Sequence, residues 1–261
     1  DWGRDTMISL PGLTLVTGRP EIARSVLMAF ADVLDAGMIP NRFPDAGTEP
    51  EFNTVDATFW FVEAIAAVDK AAPDGAFLRK MYPYICSVIE NLVKGTRFGI
   101  QIDASDGLVR AGVPGVQLTW MDARVGDWVV TPRIGKPIEV NALWISNLRF
   151  AIDAGRRLGQ PVATFEALLS TAIGGFSRFW NDERGYCYDV LDGPDGHEAH
   201  LRPNQIFAVR AATGALTQDQ CHRVLAAVEG ALLTPCGLRS LSPDDAAYIP
   251  HYGGDQTSRD G

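Results

Sequence analysis

One carboxylic acid of this sequence stands beside a large, flat aromatic ring, in the run Thr119-Trp120-Met121-Asp122-Ala123. A carboxylic acid can protonate the leaving oxygen of a sugar, and an indole can pack beneath the sugar ring. Asp122 follows an apolar run, which predicts a half-buried carboxyl, and burial keeps a carboxylic acid protonated and able to donate. A carboxylate paired with Arg124 or Arg133 explains the same residue equally well.

The N-terminal run Trp2-Gly3-Arg4-Asp5 combines an aromatic ring with two charged groups. Trp2 could stack on the face of a sugar ring, while Arg4 and Asp5 could bind its hydroxyl groups. An Arg–Asp pair that caps the helix beginning here is the structural alternative. The run is therefore a candidate either for substrate binding or for helix capping.

A second group of candidates lies between residues 40 and 60: Asn41, Arg42, Asp56 and Trp60. Asp56 falls in the first turn of a predicted helix, where the helix dipole favours a carboxylate, and this role explains it adequately. The amide, the guanidinium and the indole have no such explanation. We therefore expect this segment to contribute to a sugar-binding site.

Polar residues beside aromatic ones recur at two later predicted helix starts, as Glu139, Asn141 and Trp144 and then as Asn204 and Gln205. Glu139 follows Pro137 at the start of its helix, where a favourable interaction with the helix dipole is enough to explain a carboxylate. It could also hold sugar hydroxyls or support a catalytic acid. All five residues are kept as candidate substrate contacts.

Other chemistries find little support. The four histidines and four cysteines include no HExxH or CxxC spacing, which argues against a metal site, and no cofactor is expected. No glycine-rich phosphate loop or Gly-x-Ser-x-Gly elbow is present. The cysteines are widely spaced, which is typical of reduced thiols in a cytoplasmic protein.

The composition is that of a globular protein, with 261 residues and 46% hydrophobic residues. A net charge of −9 argues against nucleic acid or an anionic membrane as a partner. No apolar run reaches the roughly 18 residues that a membrane-spanning helix needs. A neutral polysaccharide is compatible with this charge.

Helices must position these residues, because apolar side chains recur at helical spacing between polar loops. Eight helices are predicted, over 6–16, 20–37, 54–70, 76–94, 139–158, 162–180, 203–212 and 218–233. Short strands are expected only around 108–110 and 186–190. Long loops at 40–53 and 96–138 alternate with short turns, which predicts helical hairpins whose long loops share one face. We therefore expect one all-α domain over residues 1–261, a toroid of such hairpins around a pocket.

Several of these motifs resemble the amylo-α-1,6-glucosidase family, the glucosidase part of glycogen debranching enzymes. The resemblance spans nearly the whole chain and lies in ordered motifs: Trp2-Gly3-Arg4-Asp5-Thr6-Met7-Ile8, Asn53-Thr54-Val55-Asp56-Ala57, Thr119-Trp120-Met121-Asp122-Ala123, Glu139-Val140-Asn141-Ala142-Leu143-Trp144 and Arg202-Pro203-Asn204-Gln205. It implies an (α/α)6 toroid that hydrolyses α-1,6-linked glucose at glycogen and limit-dextrin branch points with inversion. It also implies that Asp122 is the general acid.

An inverting glycosidase needs a second carboxylate, about 6.5–9.5 Å from the acid. In the family this general base lies in a later motif, so the resemblance implies a sequence truncated at both ends that stops before its base. Asp255 and Asp260 are the alternatives within the chain. The competing functions are another toroidal glycosidase, of glucoamylase or trehalase type, and a glucan-binding fragment without catalysis.

Overall fold

The computed structural model describes residues 2–43, 49–212, 214–251 and 253–255. About half of the chain is helical. The described part contains eight α-helices: α1 Gly3–Leu10, α2 Pro20–Ala31, α3 Asp56–Ala71, α4 Gly75–Lys94, α5 Ile138–Leu158, α6 Ala163–Phe176, α7 Gln205–Arg210 and α8 Gln218–Ala231. Each lies within or overlaps a predicted helix, so these eight predictions are confirmed, although α7 is shorter than expected. A π-helical turn, Pro11–Leu15, continues α1.

Local signals explain several helix ends. Asp74 accepts hydrogen bonds from the amides of residues 76 and 77 and so caps α4. A reciprocal pair, Thr217 and Gln220, forms a capping box at the start of α8. At the other end of α5, Gly159 adopts a left-handed conformation with φ of 68°, which ends the helix. These capping residues are visible in the sequence, which is one reason why the helices were predictable.

The connections contain more strand than the sequence suggested. The described residues form eleven strands: β1 Gln101–Ile102, β2 Val109–Arg110, β3 Arg124–Val125, β4 Trp128–Val129, β5 Lys136–Pro137, β6 Trp180–Asn181, β7 Tyr186–Cys187, β8 Val190–Gly193, β9 Gly196–Glu198, β10 Leu233–Thr234 and β11 Gly237–Leu238. They pair in five small antiparallel sheets, β1–β2, β3–β4, β6–β7, β10–β11 and β5–β8–β9. The long segment 96–138, expected as a loop with one short strand around 108–110, holds five strands, of which β2 is the expected one. The strand expected around 186–190 corresponds to β7 and the start of β8. The fold is mainly rather than entirely helical.

The helices pack in two layers. Helix α1 packs against α3, α3 against α5, and α5 against α7, so the odd-numbered helices form one row. Helix α2 packs on α3, α4 and α6 pack on α5, and α8 packs on α7, which makes a second layer. The core draws buried side chains from both layers. Within the row, the buried rings of Phe59 in α3 and Trp144 in α5 lie 6.2 Å apart. No helix in the described part is long and apolar enough to span a membrane.

The beginnings of the odd-numbered helices come together in pairs. The side chain of Arg4, in α1, bonds to that of Asp56, the first residue of α3. Glu139, in the first turn of α5, is linked through Arg133 and Asp189 to Asn204, which immediately precedes α7. These helix starts carry most of the polar candidates from the sequence, so the packing of the row gathers those candidates.

Candidate active site

The carboxyl group of Asp122 forms an ion pair with Arg4. Arg4 Nη1 donates to Asp122 Oδ2 over 2.8 Å, although the two residues are 118 positions apart in the chain. The expected pairing with Arg124 or Arg133 is therefore wrong: Arg124 bonds to Asp127, and Arg133 bonds to Glu139 and Asp189. The Asp122 side chain is about half buried, with 44% of it exposed. Arg4 therefore holds a carboxyl group that remains accessible to solvent.

Arg4 is itself fixed from three other directions. Its Nε donates to Asp56 Oδ1 over 2.8 Å, and its Nη2 donates to the Thr54 hydroxyl and, at 3.5 Å, to the Leu118 carbonyl. Burial alone would lower the pKa of Arg4, but Asp56 and Asp122 outweigh it and raise that pKa. Asp56 is buried and also accepts a hydrogen bond from Thr54. Asp56 therefore contacts Arg4 and Thr54, in addition to lying in the first turn of α3.

The indole of Trp120 is oriented by a buried network. Its Nε1 donates to Asn204 Oδ1 over 2.8 Å, and Asn204 Nδ2 donates to Asp189 Oδ1, also over 2.8 Å. Asp189 is completely buried and accepts from Arg133 Nε. Asn204 was expected to bind substrate, but its amide is engaged on both sides within the protein. The network leaves the Trp120 ring 38% exposed, with a defined orientation.

Arg133 joins two buried carboxylates. It makes a two-pronged contact with Glu139 and also bonds to Asp189. Burial alone would lower the pKa of Arg133, but Asp189 and Glu139 outweigh it and raise that pKa. Burial raises the pKa of Glu139, and Arg133 opposes that rise. Glu139 is 2% exposed with both oxygens on Arg133, so it supports the network instead of reaching a sugar.

A cavity of about 680 Å³ opens beside Asp122. Three parts of the chain line it: residues 120–123, the stretch 128–131, and Arg202 with residues of the segment 240–251. Among the described residues that line it, Asp122 is the only carboxylate. Exposed rings of Trp120 and Trp128 give it the aromatic and polar mixture that is typical of saccharide sites.

A tight hairpin places Trp128 on this cavity. Strands β3 and β4 pair Val125 with Trp128 across the two-residue turn Gly126-Asp127, where Gly126 has a φ of 61°. The Val130 amide donates to the Ala123 carbonyl and extends the pairing back to the residue after Asp122. Because strand side chains alternate, Trp128 and Val130 face the same side. Trp128 was not predicted as a site residue, although the Gly126-Asp127 turn shortly after Asp122 is a hairpin signal in the sequence.

The N-terminal candidates lie outside the lining of this cavity. Trp2 is about half exposed, and the Arg42 guanidinium lies 5.7 Å from its ring centre while pairing with Glu51. Asp5 is exposed on α1. Asn41 is buried, and its Oδ1 has no hydrogen-bond partner among the described residues. The Asp5 carboxylate and the Asn41 side-chain oxygen are therefore available here, next to Arg4, for contact with a ligand.

Four other candidates are placed away from the cavity, which corrects the expectation of direct sugar contact. Asn141 bonds to the backbone of Val109, and Gln205 bonds to the backbone of Cys187. The indole of Trp144 is buried and donates to the Gly107 carbonyl. Trp60 packs edge-to-face on Phe207, 5.7 Å away, in a separate cavity of about 190 Å³. These side chains pin loops and helices together.

Two further expectations concern metal ions and the late acids. Within the described ranges, no group of three or more His, Cys, Asp or Glu side chains is arranged to hold a metal ion. Asp255 is exposed and is not among the residues that line the cavity. Asp260 lies outside the described residues.

Comparison with known sequences points to one family. The family model described as amylo-alpha-1,6-glucosidase matches residues 1–261. The glycogen debranching enzyme of Saccharomyces cerevisiae is 26% identical over 347 residues, an alignment that covers 99% of this chain and 22% of that protein. The chain thus spans about a fifth of the length of this curated relative.

Solved structures share the fold at low sequence identity. A GH63 mannosylglycerate hydrolase from Thermus thermophilus superposes with a TM-score of 0.72 at 14% identity, over 96% of this chain and 75% of that one. A rhamnosidase from Klebsiella oxytoca gives 0.61 at 18% identity, over 88% and 41%. A GH78 rhamnosidase of a Bacillus species gives 0.66 at 16% identity, over 91% and 23%.

Proposed function

Since this chain belongs to the amylo-alpha-1,6-glucosidase family, a glycoside hydrolase family, we propose that it removes α-1,6-linked glucose from branched glucans such as glycogen and limit dextrin. The observation that carries this proposal is the position of Asp122. Its carboxyl is held by Arg4 and lines a cavity whose lining also includes the exposed indoles of Trp120 and Trp128. Solvent reaches this side chain, 44% of which is exposed, and can protonate it. The resulting carboxylic acid can donate its proton to the leaving oxygen while Trp120 packs under the ring.

The proposed reaction is inverting, with Asp122 as general acid. The general base is supplied from outside the residues that line the described cavity, because Asp122 is the only carboxylate among them. Trp2, Asp5, Asn41 and Arg42 are proposed sugar contacts next to Arg4. Four further residues are proposed to act indirectly, by fixing the position of Asp122 or Trp120: Arg4, Asp56, Glu139 and Asn204.

The proposed architecture is part of an (α/α)6 toroid, forming a single domain. It is supported by the two helix layers, in which α1, α3, α5 and α7 form one row with their beginnings gathered at the site. The proposed setting is the cytoplasm, with no nucleic acid or membrane as partner. The four cysteines are free thiols, as expected there.

The test uses azide as an external nucleophile, so that a missing base does not hide the acid. Azide attacks C1, the bond from C1 to the leaving oxygen breaks, and that oxygen takes the Asp122 proton, which gives β-glucosyl azide. We expect this product from α-1,6-glucosyl maltooligosaccharides, but not from maltooligosaccharides or trehalose. Product from the α-1,4 substrates or trehalose instead would favour a glucoamylase- or trehalase-like enzyme.

The absence of a second carboxylate from the described lining also favours one other function, glucan binding without catalysis. Calorimetric titration with the same α-1,6-glucosyl maltooligosaccharide, run beside the azide assay, separates the two. Binding without any azide product would favour the binding function. Turnover that saturates with substrate would favour the hydrolase.

A further inference from the structure

One wall of the cavity comes from the segment 240–251, which contributes Tyr248, Ile249 and His251 among others. This segment follows β11 and contains no helix or strand in its described residues, so its own backbone pairing does not hold it in place. Contacts with the rest of the protein must therefore fix it.

Three consecutive residues supply those contacts. The Leu201 carbonyl accepts from the Ser242 amide over 3.0 Å, and Arg202 Nη1 donates to the Ser240 carbonyl at 3.4 Å. The third contact joins side chains: His200 Nδ1 lies 2.6 Å from Asp245 Oδ2. Within the described chain, this is the last hydrogen bond that ties the segment to the body of the protein before Tyr248.

Asp245 also organises the turn that presents the wall. Its Oδ1 accepts from the Ala247 amide over 2.9 Å, and its carbonyl accepts from the Tyr248 amide over 3.0 Å. Burial raises the pKa of Asp245, but His200 and the Ala247 amide outweigh it, so that pKa lies below its ordinary value. One carboxylate therefore shapes the turn with one oxygen and anchors it with the other.

The segment 240–251 contributes residues to two cavities. Ala247 and Tyr248 line the cavity beside Asp122, whereas Asp245 and Ala246 line a second cavity of about 340 Å³ together with His200. Leu241 and Ser242 of this segment are buried, whereas residues 243–251 are exposed or half-buried, so packing fixes mainly the beginning of the wall. An anchor at this point has a direct effect on where Tyr248 stands.

We propose that His200 and Asp245 are positioning residues that hold the segment 240–251 as a wall of the cavity, and thereby set the affinity for saccharides longer than a disaccharide. The inference rests on the proposed function for the identity of the ligand. A disaccharide beside Asp122 and Trp120 does not need this wall. We expect a longer chain in the same cavity of about 680 Å³ to reach the wall, because Tyr248 and Ile249 line that cavity.

The first test measures dissociation constants of this chain for isomaltose and for an α-1,6-glucosyl maltotetraose by calorimetry. His200→Ala and Asp245→Asn should each weaken the longer ligand about three- to fivefold and leave isomaltose unchanged. The double variant should be no worse than either single variant. Asp244→Asn, at an exposed carboxylate of the same turn, is the control and should match the wild type. Equal weakening of both ligands, or no weakening, would overturn the proposal.

The second test needs no ligand and so remains decisive if the proposed function fails. Chymotrypsin should cut within the segment 240–251 several-fold faster in His200→Ala and Asp245→Asn than in the wild type or Asp244→Asn. Unchanged cleavage would overturn the anchor itself. If cleavage is faster in the two variants but the protein binds no saccharide, the proposed function is wrong and the anchoring role of His200 and Asp245 is retained.

Discussion

Arg4 makes the beginning of α1 part of the site. Its guanidinium contacts Asp56 of α3, Thr54 just before that helix, and Asp122 in the loop before the β3–β4 hairpin. Five donors in a rigid fork suit such a three-way contact, and a lysine ammonium cannot reproduce it. Because Arg4 and Asp56 are both buried, loss of Arg4 leaves a buried carboxylate without its cation.

Replacing Arg4 should therefore show whether this residue positions Asp122 or binds the substrate. We predict that Arg4→Lys lowers the rate of azide transfer from an α-1,6-glucosyl substrate by about 100-fold, because a misplaced acid is a poor donor. KM should change little. Arg4→Met should lower the rate further and cost about 3–5 kcal/mol of unfolding free energy, measured in urea. Arg156→Lys, at an exposed pair with Glu166, is the control. A rise in KM without loss of rate would contradict positioning.

The sequence identified Asp122 and Trp120 but not their partners. Spacing along the chain suggested Arg124 and Arg133 as neighbours of Asp122, whereas the true partner comes from 118 residues away. Tertiary pairing at that separation leaves no local pattern. In the same way, the sequence left the role of Glu139 open and suggested that Asn204 binds substrate, whereas in the fold Glu139 bonds to Arg133 and Asn204 bonds to Asp189.

At the scale of elements, the helices were predictable, whereas most of the strands were not; only β2 and the region of β7 and β8 were expected. Apolar periodicity and capping residues such as Asp74 act over a few positions and are visible in sequence. Strands of two residues, such as β3 and β4, are too short to show alternation. Trp128 was therefore missed, because the hairpin that aims it at the cavity is set mainly by the turn at Gly126.

Helix α6 offers a matched pair of adjacent glycines for testing how elements pack. A Cβ at Gly175 would lie 2.1 Å from the Asp106 carbonyl oxygen, whereas one at Gly174 would meet nothing within 4 Å. We predict that Gly175→Ala lowers the free energy of unfolding by about 1–3 kcal/mol. Gly174→Ala should raise it by up to about 1 kcal/mol, through helix propensity. Urea unfolding checks both, and equal effects would contradict the close approach of α6 to Asp106.

At the scale of the whole molecule, an ion network ties the 3-10 turn Ser177–Phe179, which follows α6, and the loop after β1 to the β5–β8–β9 sheet. Lys136 is buried and contacts Asp103, Asp106 and Asp192. Arg178 contacts Asp106 and Asp192 from the other side. Hydrogen bonds from Arg178, and then from Lys136, lower the pKa of Asp192 to about 2, although burial opposes this.

This network should make stability depend on pH. Because the folded pKa of Asp192 is lowered, its stabilisation is present above the ordinary carboxyl value and is lost as pH falls through about 2. We predict that Asp192→Asn reduces the unfolding free energy at pH 6 and that the difference from the wild type shrinks towards pH 2. Asparagine tolerates the positive φ of 54° at this position. Asp195→Asn, in the same turn, should change stability little. A difference that is constant with pH would contradict the role of the charge.

The central claim is that Asp122 donates the proton to the leaving oxygen. Its most direct test compares the wild type with Asp122→Asn, with azide as nucleophile and two leaving groups. On an α-1,6-glucosyl maltooligosaccharide, whose leaving oxygen needs a proton, we predict a rate loss of about 100- to 10,000-fold. On α-glucosyl fluoride, whose leaving group depends far less on a proton donor, the rate should change only a few-fold. An equal loss on both substrates, or a retained rate on the oligosaccharide, would contradict Asp122 as the general acid.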